Sequence, residues 1–505
     1  LKGPSHSIKY YSTPPMTCMT QVVWVSLISA CSSLPVDPSD SILLLQARLE
    51  SNDTPERRLR AAMERARIAA PVSGAPGCSP SHRQVMVNFG EAQFVSYVKV
   101  GKQMIAGIID TGSFELVVFG SDCRRCSVAA HYNHHLSASF ELGTLRMQHN
   151  YGSGATICDE SFEQVSIGPY APARQMFWEV VDAQMPILDN AAFEAIIGVG
   201  PTEAMLVDIW TEVDDYIKNL TGYYDMATVP PSSTLSDAQS LVKTAIQLGN
   251  ELPMLHTWGV NIFSICIGSE SGADGVIIWE DNLAKEQPNL FVEIPAMNDH
   301  HTWSANMTEP VLAFGENMEL GCTHGCDAII DSGTSVIAAP SFAVRQVAEA
   351  LTQLNSNCSN LEALPDLVFK LGGHTFSLPP SSYVAEVIGD VPEYLKAKMP
   401  FLGSSKRACE LMIMDMGGIT EGGEMWILGV PFFRKYYTTF ELGSSLAERK
   451  FHIAQHSEKE CAPVETAVAM GSKRKLTPLQ RVEAKRLHLP DRSPLRAGKL
   501  YTHTS

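Results

Sequence analysis

The chain has 505 residues, enough for two or three domains with an ample core. Its 45% hydrophobic and 18% charged residues are ordinary for a soluble globular protein, but the net charge of −17 is unevenly spread. Residues 1–83 carry a net +3 and residues 462–505 a net +6, which leaves 20 Lys+Arg against 46 Asp+Glu in residues 84–461. So acidic a body argues against nucleic acid as its partner and suits work in acid, where carboxylates titrate.

The first residue is Leu, with Met16 and Met19 as candidate starts. Residues 21–30 form a short apolar run followed by small residues. This fits the core of a signal peptide within residues 1–35 and is too short to cross ~30 Å of hydrocarbon. Residues 36–83 read as a basic propeptide-like segment and linker. A helix-friendly stretch carries Arg57, Arg58, Arg60, Arg65 and Arg67, and residues 71–80 are rich in Pro, Gly and Ser. From residue 84 the pattern turns to short alternating segments at 85–89, 94–100, 105–109 and 116–119, which predict strands. Residues 145–157 contain Tyr151-Gly152-Ser153-Gly154, a glycine-rich hairpin tip with one aromatic side chain. Residues 202–255 have helical periodicity broken by a Pro/Ser loop and read as an insertion, and strands return at 263–267 and 275–279.

Residues 108–113 read Ile-Ile-Asp-Thr-Gly-Ser, and residues 329–334 read Ile-Ile-Asp-Ser-Gly-Thr. In each, an apolar strand runs into an acidic residue, a hydroxyl, a glycine that permits a tight turn, and a second hydroxyl. One such tripeptide is a weak signal; two, each behind two isoleucines, read as the halves of one site. Ile196-Ile197-Gly198 follows the first motif, and Trp426-Ile427-Leu428-Gly429 follows the second at a similar distance, which marks a duplication at domain scale. After the second motif come a helical stretch at 341–354 and strands at 367–371 and 375–378. Beyond Cys461 the chain is basic and contains prolines, which predicts a largely disordered tail over 462–505. Its Lys473–Lys475 run resembles a nuclear-localisation cluster, yet reads better as a solvated extension. Twelve cysteines, some in close pairs in different halves of the chain, favour disulfides over a zinc site. Together with sequons at Asn52, Asn219, Asn306 and Asn357 they point to the secretory pathway and a glycoprotein.

Over residues 84–461 these motifs resemble the pepsin family of aspartic proteases. They include both Asp-Thr/Ser-Gly motifs, the Tyr151 hairpin, Cys322-Thr-His-Gly-Cys326 and the run 426–440. The resemblance implies a mainly β, bilobal fold of two duplicated β-rich lobes, at 84–285 and 286–461, with the active-site cleft between them. It implies an endopeptidase that hydrolyses polypeptides at acidic pH, made as a zymogen and held outside the cell or in an acidic vacuole- or lysosome-like compartment. Asp110 and Asp331 would share one proton and activate a water, since two carboxylates about 3 Å apart cannot both ionise; this family is a standard illustration of that effect. Gly112 and Gly333 would donate backbone N–H groups to the inner oxygens, Ser113 and Thr334 would bond the outer ones, and Thr111 and Ser332 would brace the two loops. Tyr151, with Gly152 and Ser153, would close over substrate. The implied disulfides are Cys123–Cys126, Cys322–Cys326 and Cys358–Cys409, with Cys78, Cys158, Cys266 and Cys461 unassigned. No metal or organic cofactor, no nucleic acid and no transmembrane span are expected, and the enzyme is expected to be a monomer that binds pepstatin-like inhibitors.

The chain departs from the family pattern in three places. A Trp shortly after the first motif normally hydrogen-bonds the flap Tyr, and here Val117, which cannot donate, stands there. The usual Thr-Pro pair is replaced by Lys102-Gln103 after Gly101. The insertion and the basic tail have no counterpart in the simplest members. A catalytically silent pepsin-fold protein that binds peptides is therefore the alternative, although such members usually lose a motif residue. A two-carboxylate glycosidase would need neither the duplicated motifs nor the flap.

Overall fold

The computed structural model describes residues 82–201, 243–245, 247–248, 251–297, 302–313, 316–352, 354–403, 407–417, 424–457, 461–464, 479–490 and 500–502. The expected signal segment, nearly all of the propeptide and linker, and most of the 202–255 insertion lie outside the described residues.

Alternation of apolar and polar residues becomes strand where it was expected. Arg83–Phe89, Gln93–Val100 and Gln103–Asp110 form an antiparallel series at the heart of a 14-stranded sheet. Gln103–Asp110 is all but buried on both faces over its last six residues, which explains its unbroken apolar run. On its other side it pairs in parallel with Ala195–Gly198, which is itself antiparallel to Leu116–Arg124. The chain thus leaves the sheet at Asp110, turns, and re-enters one strand away. The second half repeats this device in an eight-stranded sheet. There Cys326–Ile330 lies parallel to Met425–Leu428, and Met425–Leu428 lies antiparallel to Ile337–Ala339. The two motifs therefore stand at the same topological position, each at the carboxyl end of a buried strand.

The halves share a floor. Tyr436–Glu441 pairs with Ile262–Ile267, and Lys450–Gln455 pairs with Tyr436–Glu441, so late strands join the sheet begun by early ones. The 285/286 division follows chain order but does not separate the sheets. Phe263 stacks on Phe440 at 5.0 Å and Trp303 meets the Phe440 edge at 5.2 Å, all buried. At about 25 cal/mol per Å² and roughly 200 Å² per ring, each contributes up to about 5 kcal/mol. A Cys266–Cys461 disulfide ties the end of the second half to this floor. A buried Arg434–Glu91 ion pair crosses it, with Arg434 also donating to the Gly268 carbonyl at 2.8 Å.

The tail differs from expectation. Residues 479–490 pack against the body. Arg481–Glu483 runs parallel to Val384–Ile388, which is antiparallel to Arg407–Leu411. Leu500–Thr502 adds to the edge of Glu141–Tyr151. The basic composition of 462–505 masks a short apolar series, Val482, Ala484, Leu487 and Leu489, all buried. No helix among the described residues is long and apolar enough to cross a membrane.

Candidate active site

Both motif turns meet at the interface of the halves. Gly112 N–H donates to Asp110 Oδ1 at 2.9 Å and Ser113 Oγ donates to Oδ2 at 2.6 Å. Gly333 N–H donates to Asp331 Oδ1 at 2.8 Å, and Thr334 Oγ1 donates to Oδ2. Each carboxylate is thus held in one orientation by its own loop. The loops are locked to each other by a reciprocal pair of hydroxyls. Thr111 Oγ1 donates to the Ile330 carbonyl at 2.8 Å and accepts from Ser332 N–H at 2.9 Å. Ser332 Oγ donates to the Ile109 carbonyl at 2.7 Å and accepts from Thr111 N–H at 3.2 Å. Both hydroxyl residues are buried, so these bonds act without competition from bulk water.

The glycines are needed for contact between the loops. A Cβ on Gly112 would fall 2.7 Å from Asp331 Cγ, and one on Gly333 would fall 2.3 Å from Asp110 Oδ1. With each backbone against the partner carboxyl, the two acids come close enough to hydrogen-bond. Burial, then the charge and hydrogen bond of Asp110, push Asp331 up to about 7, against the opposing bonds from Thr334 and Gly333. Such a pair can hold a single proton across the acidic range, one oxygen accepting while another donates.

The hairpin of Glu141–Tyr151 and Gly154–Ile167 pairs Tyr151 with Gly154 and leaves Gly152 and Ser153 at the tip. Burial, above all, raises the Tyr151 phenol well above its usual range. Lys398 Nζ reaches across from the second half to the Gly152 carbonyl.

Val117 is buried and offers no hydrogen bond, as expected, but an indole lies directly across from it. Trp178 is the register partner of Val117 on the neighbouring strand. Its Nε1–H donates to Glu115 Oε1 at 2.7 Å, while Glu115 Oε2 binds His149 Nε2 at 2.7 Å. His149 packs near-parallel to Tyr151 at 6.4 Å. Burial pulls the His149 imidazole down, but Glu115 and Cys158 outweigh it and push it up to about 10. The sequence reading missed this trio. Its signal was the two-residue spacing of His149 and Tyr151, which puts both on one face of a strand.

The Cys123–Cys126, Cys322–Cys326 and Cys358–Cys409 pairings are present. Cys266–Cys461 joins two of the unassigned cysteines, Cys158 is a buried free thiol, and Cys78 lies outside the described residues.

The model of the eukaryotic aspartyl protease family matches residues 93–223 and 256–449. Pepsin A of Bos taurus is 22% identical over 373 residues, 72% of this chain and 85% of the relative. Cathepsin E of Rattus norvegicus is 25% identical over 376 residues, 71% and 80%. A probable vacuolar protease A of Trichophyton verrucosum is 23% identical over 375 residues, 72% and 79%.

Proposed function

The chain belongs to the eukaryotic aspartyl protease family, and from that premise we propose that it is an aspartic endopeptidase that cleaves polypeptides in acid, with Asp110 and Asp331 as its catalytic pair. The observation that carries this reading is the pair of equivalent loops whose carboxyls share a buried site, with Asp331 raised to about 7 by burial and by Asp110. In the working state one carboxylate takes a proton from a water between them, and the water attacks the scissile carbonyl. The protonated carboxyl donates to the carbonyl oxygen as it gains charge; as the C–N bond of the adduct breaks, the proton taken from water passes to the leaving amine and the donating carboxyl recovers its own from the adduct hydroxyl. Gly112, Ser113, Gly333 and Thr334 fix the oxygens, and Thr111 and Ser332 fix the separation of the loops. Tyr151 covers substrate and excludes water. Glu115 and His149 are positioning residues, which hold the Tyr151 strand in place of the indole donor absent at Val117.

The acidic body and the pepsin and vacuolar protease relatives support a secreted or vacuole-like acidic location. The test is cleavage of a denatured protein across pH 2–7, with and without pepstatin, for the parent and Asp110→Asn. Acid-dependent, pepstatin-sensitive cleavage that the substitution abolishes is expected. A folded parent, freed of any bound segment, that cleaves nothing at any pH would refute the reading in favour of a silent peptide-binding protein.

A further inference from the structure

Residues 479–486 lead along the body to residues 488–490, which lie between the hairpin tip and the second motif loop, in the space through which a substrate chain would run. Gln480 Nε2–H donates to the Ser269 carbonyl at 2.9 Å, and its own carbonyl accepts from Glu386 N–H at 3.0 Å. Glu483 N–H donates to the Gly90 carbonyl at 3.0 Å. The Arg486 carbonyl accepts from Gln93 Nε2 at 2.9 Å, and Arg486 Nη1 donates to the Asn190 carbonyl at 3.0 Å. The segment is therefore tied to both halves before it reaches the dyad loop.

There the contacts tighten. His488 N–H donates to Ser335 Oγ at 2.8 Å, and Ser335 N–H donates to the His488 carbonyl at 2.9 Å. His488 Nδ1 lies 2.7 Å from the Gly333 carbonyl. A carbonyl only accepts, so Nδ1 carries the proton. Leu489 N–H meets Ser153 Oγ of the hairpin tip at 3.4 Å. The fit against the tip leaves no gap: a Cβ on Gly152 would fall 1.7 Å from the Pro490 carbonyl oxygen and 2.5 Å from that of Leu489. Leu487 and Leu489 are fully buried among the methionines of the second half, and His488 meets the Phe193 edge at 6.1 Å. After a 3-10 turn at Ala484–Arg486, the chain pairs the backbone of His488 with Ser335 and buries every residue from Leu487 to Pro490, as a peptide held in a cleft would. Charge agrees: the segment comes from a net +6 tail on a −26 body, and Arg481 pairs with Glu386 at 2.9 Å.

We propose that residues 479–490 are a built-in inhibitor, a carboxyl-terminal segment of the chain that fills the substrate cleft and must leave before the enzyme can act. This inference rests on the protease reading above. An intramolecular occupant is favoured over a free peptide by its high effective concentration, so the full chain is latent until the tail is cut or displaced.

The test uses the full chain, the full chain with Leu489→Asp, and the full chain carrying a site-specific protease sequence within residues 465–478. A rise in kcat/KM of tenfold or more on cutting or in Leu489→Asp is expected, reversed by a synthetic peptide of residues 479–490. Equal rates in a folded parent, the cut form and Leu489→Asp would overturn the proposal. Amide exchange at residues 150–154 separates the two readings if no form cleaves. Protection lost on cutting or in Leu489→Asp would uphold docking and sink the protease reading; protection unchanged would sink the inhibitor. A thermal transition checks that Leu489→Asp folds, and the cut form, with unaltered side chains, decides if it does not.

Discussion

Replacing Thr111 with Val keeps the shape of the side chain and removes one oxygen. That oxygen donates to the Ile330 carbonyl and accepts from Ser332 N–H, and residues 111 and 332 are respectively 0% and 3% exposed. The substitution leaves a buried backbone donor and acceptor each short of a partner, at about 1–3 kcal/mol apiece, so a loss of roughly 2–6 kcal/mol is expected. Thr111→Ser keeps the oxygen and deletes a methyl, worth about 1 kcal/mol. Both variants are compared with the parent by denaturant midpoint, followed through the fluorescence of buried tryptophans, with the unfolding rate as a check on irreversibility. The Val variant also lets the motif loops drift, and a displacement of about 1 Å can cost 10²-fold in kcat. Val and Ser variants within about 0.5 kcal/mol of each other, with equal kcat, would refute the view that this hydroxyl lock holds the dyad.

Asp331 sits at about 7 in the fold against roughly 3.9 unfolded, so its contribution to stability is complete below about 3.9 and is lost as pH rises through about 7. The thermal transition is expected to fall, and kcat/KM to drop, over that window, and Asp331→Asn should flatten the stability trend; an unchanged trend would count against the shift. Glu115→Ala leaves Trp178 Nε1–H and the His149 imidazole without their shared partner; kcat should fall about 10-fold or more with less change in KM, and Glu115→Gln, which still accepts from Trp178, should recover part of it. Replacing Cys266 and Cys461 by Ser opens a link spanning 195 residues and should cost about 2–5 kcal/mol in the denaturant midpoint without reductant.

Much of the site was legible because the chain states it twice. Asp110 and Asp331 each close a buried strand, and the local order acid, hydroxyl, glycine, hydroxyl maps directly onto four hydrogen bonds within each turn or its brace. Short-range patterning also gave the strands, since 85–89, 94–100 and 263–267 each fall inside an observed strand. What stayed hidden depends on pairing between distant segments. Nothing near Val117 announces that Trp178 will lie across from it, because that register is set by a parallel pairing of strands about 60 residues apart. Cys266 and Cys461 were unassignable for the same reason. The tail was misread because net charge over 44 residues is an average, whereas docking needs only Val482, Ala484, Leu487 and Leu489 at the right places.

The docked segment also carries a reason to leave in acid. His488 places its Nδ1–H on the Gly333 carbonyl. Burial lowers its affinity for a proton, and the Gly333 carbonyl and the Asp331 charge oppose this only in part. The neighbours that face it are Asp331 and Ser335 from the second loop and the Phe193 ring from the first half, while Arg486 of its own segment is already paired with Glu483. A docked imidazole below its free value of about 6.5 means that the docked form binds fewer protons than the released one, so docking weakens as pH falls below about 6.5. Asp331, raised to about 7, takes up its proton over the same range, and the negative charge that would favour an imidazolium is withdrawn as the imidazolium forms. One fall in pH would thus both prepare the dyad and loosen its cover. Dissociation of the cut tail from the body, measured between pH 4 and 7.5, should become easier in acid. In His488→Gln, which keeps a donor for Gly333 but cannot titrate, that dependence should flatten; a slope unchanged by the substitution would place the acid response elsewhere in the body.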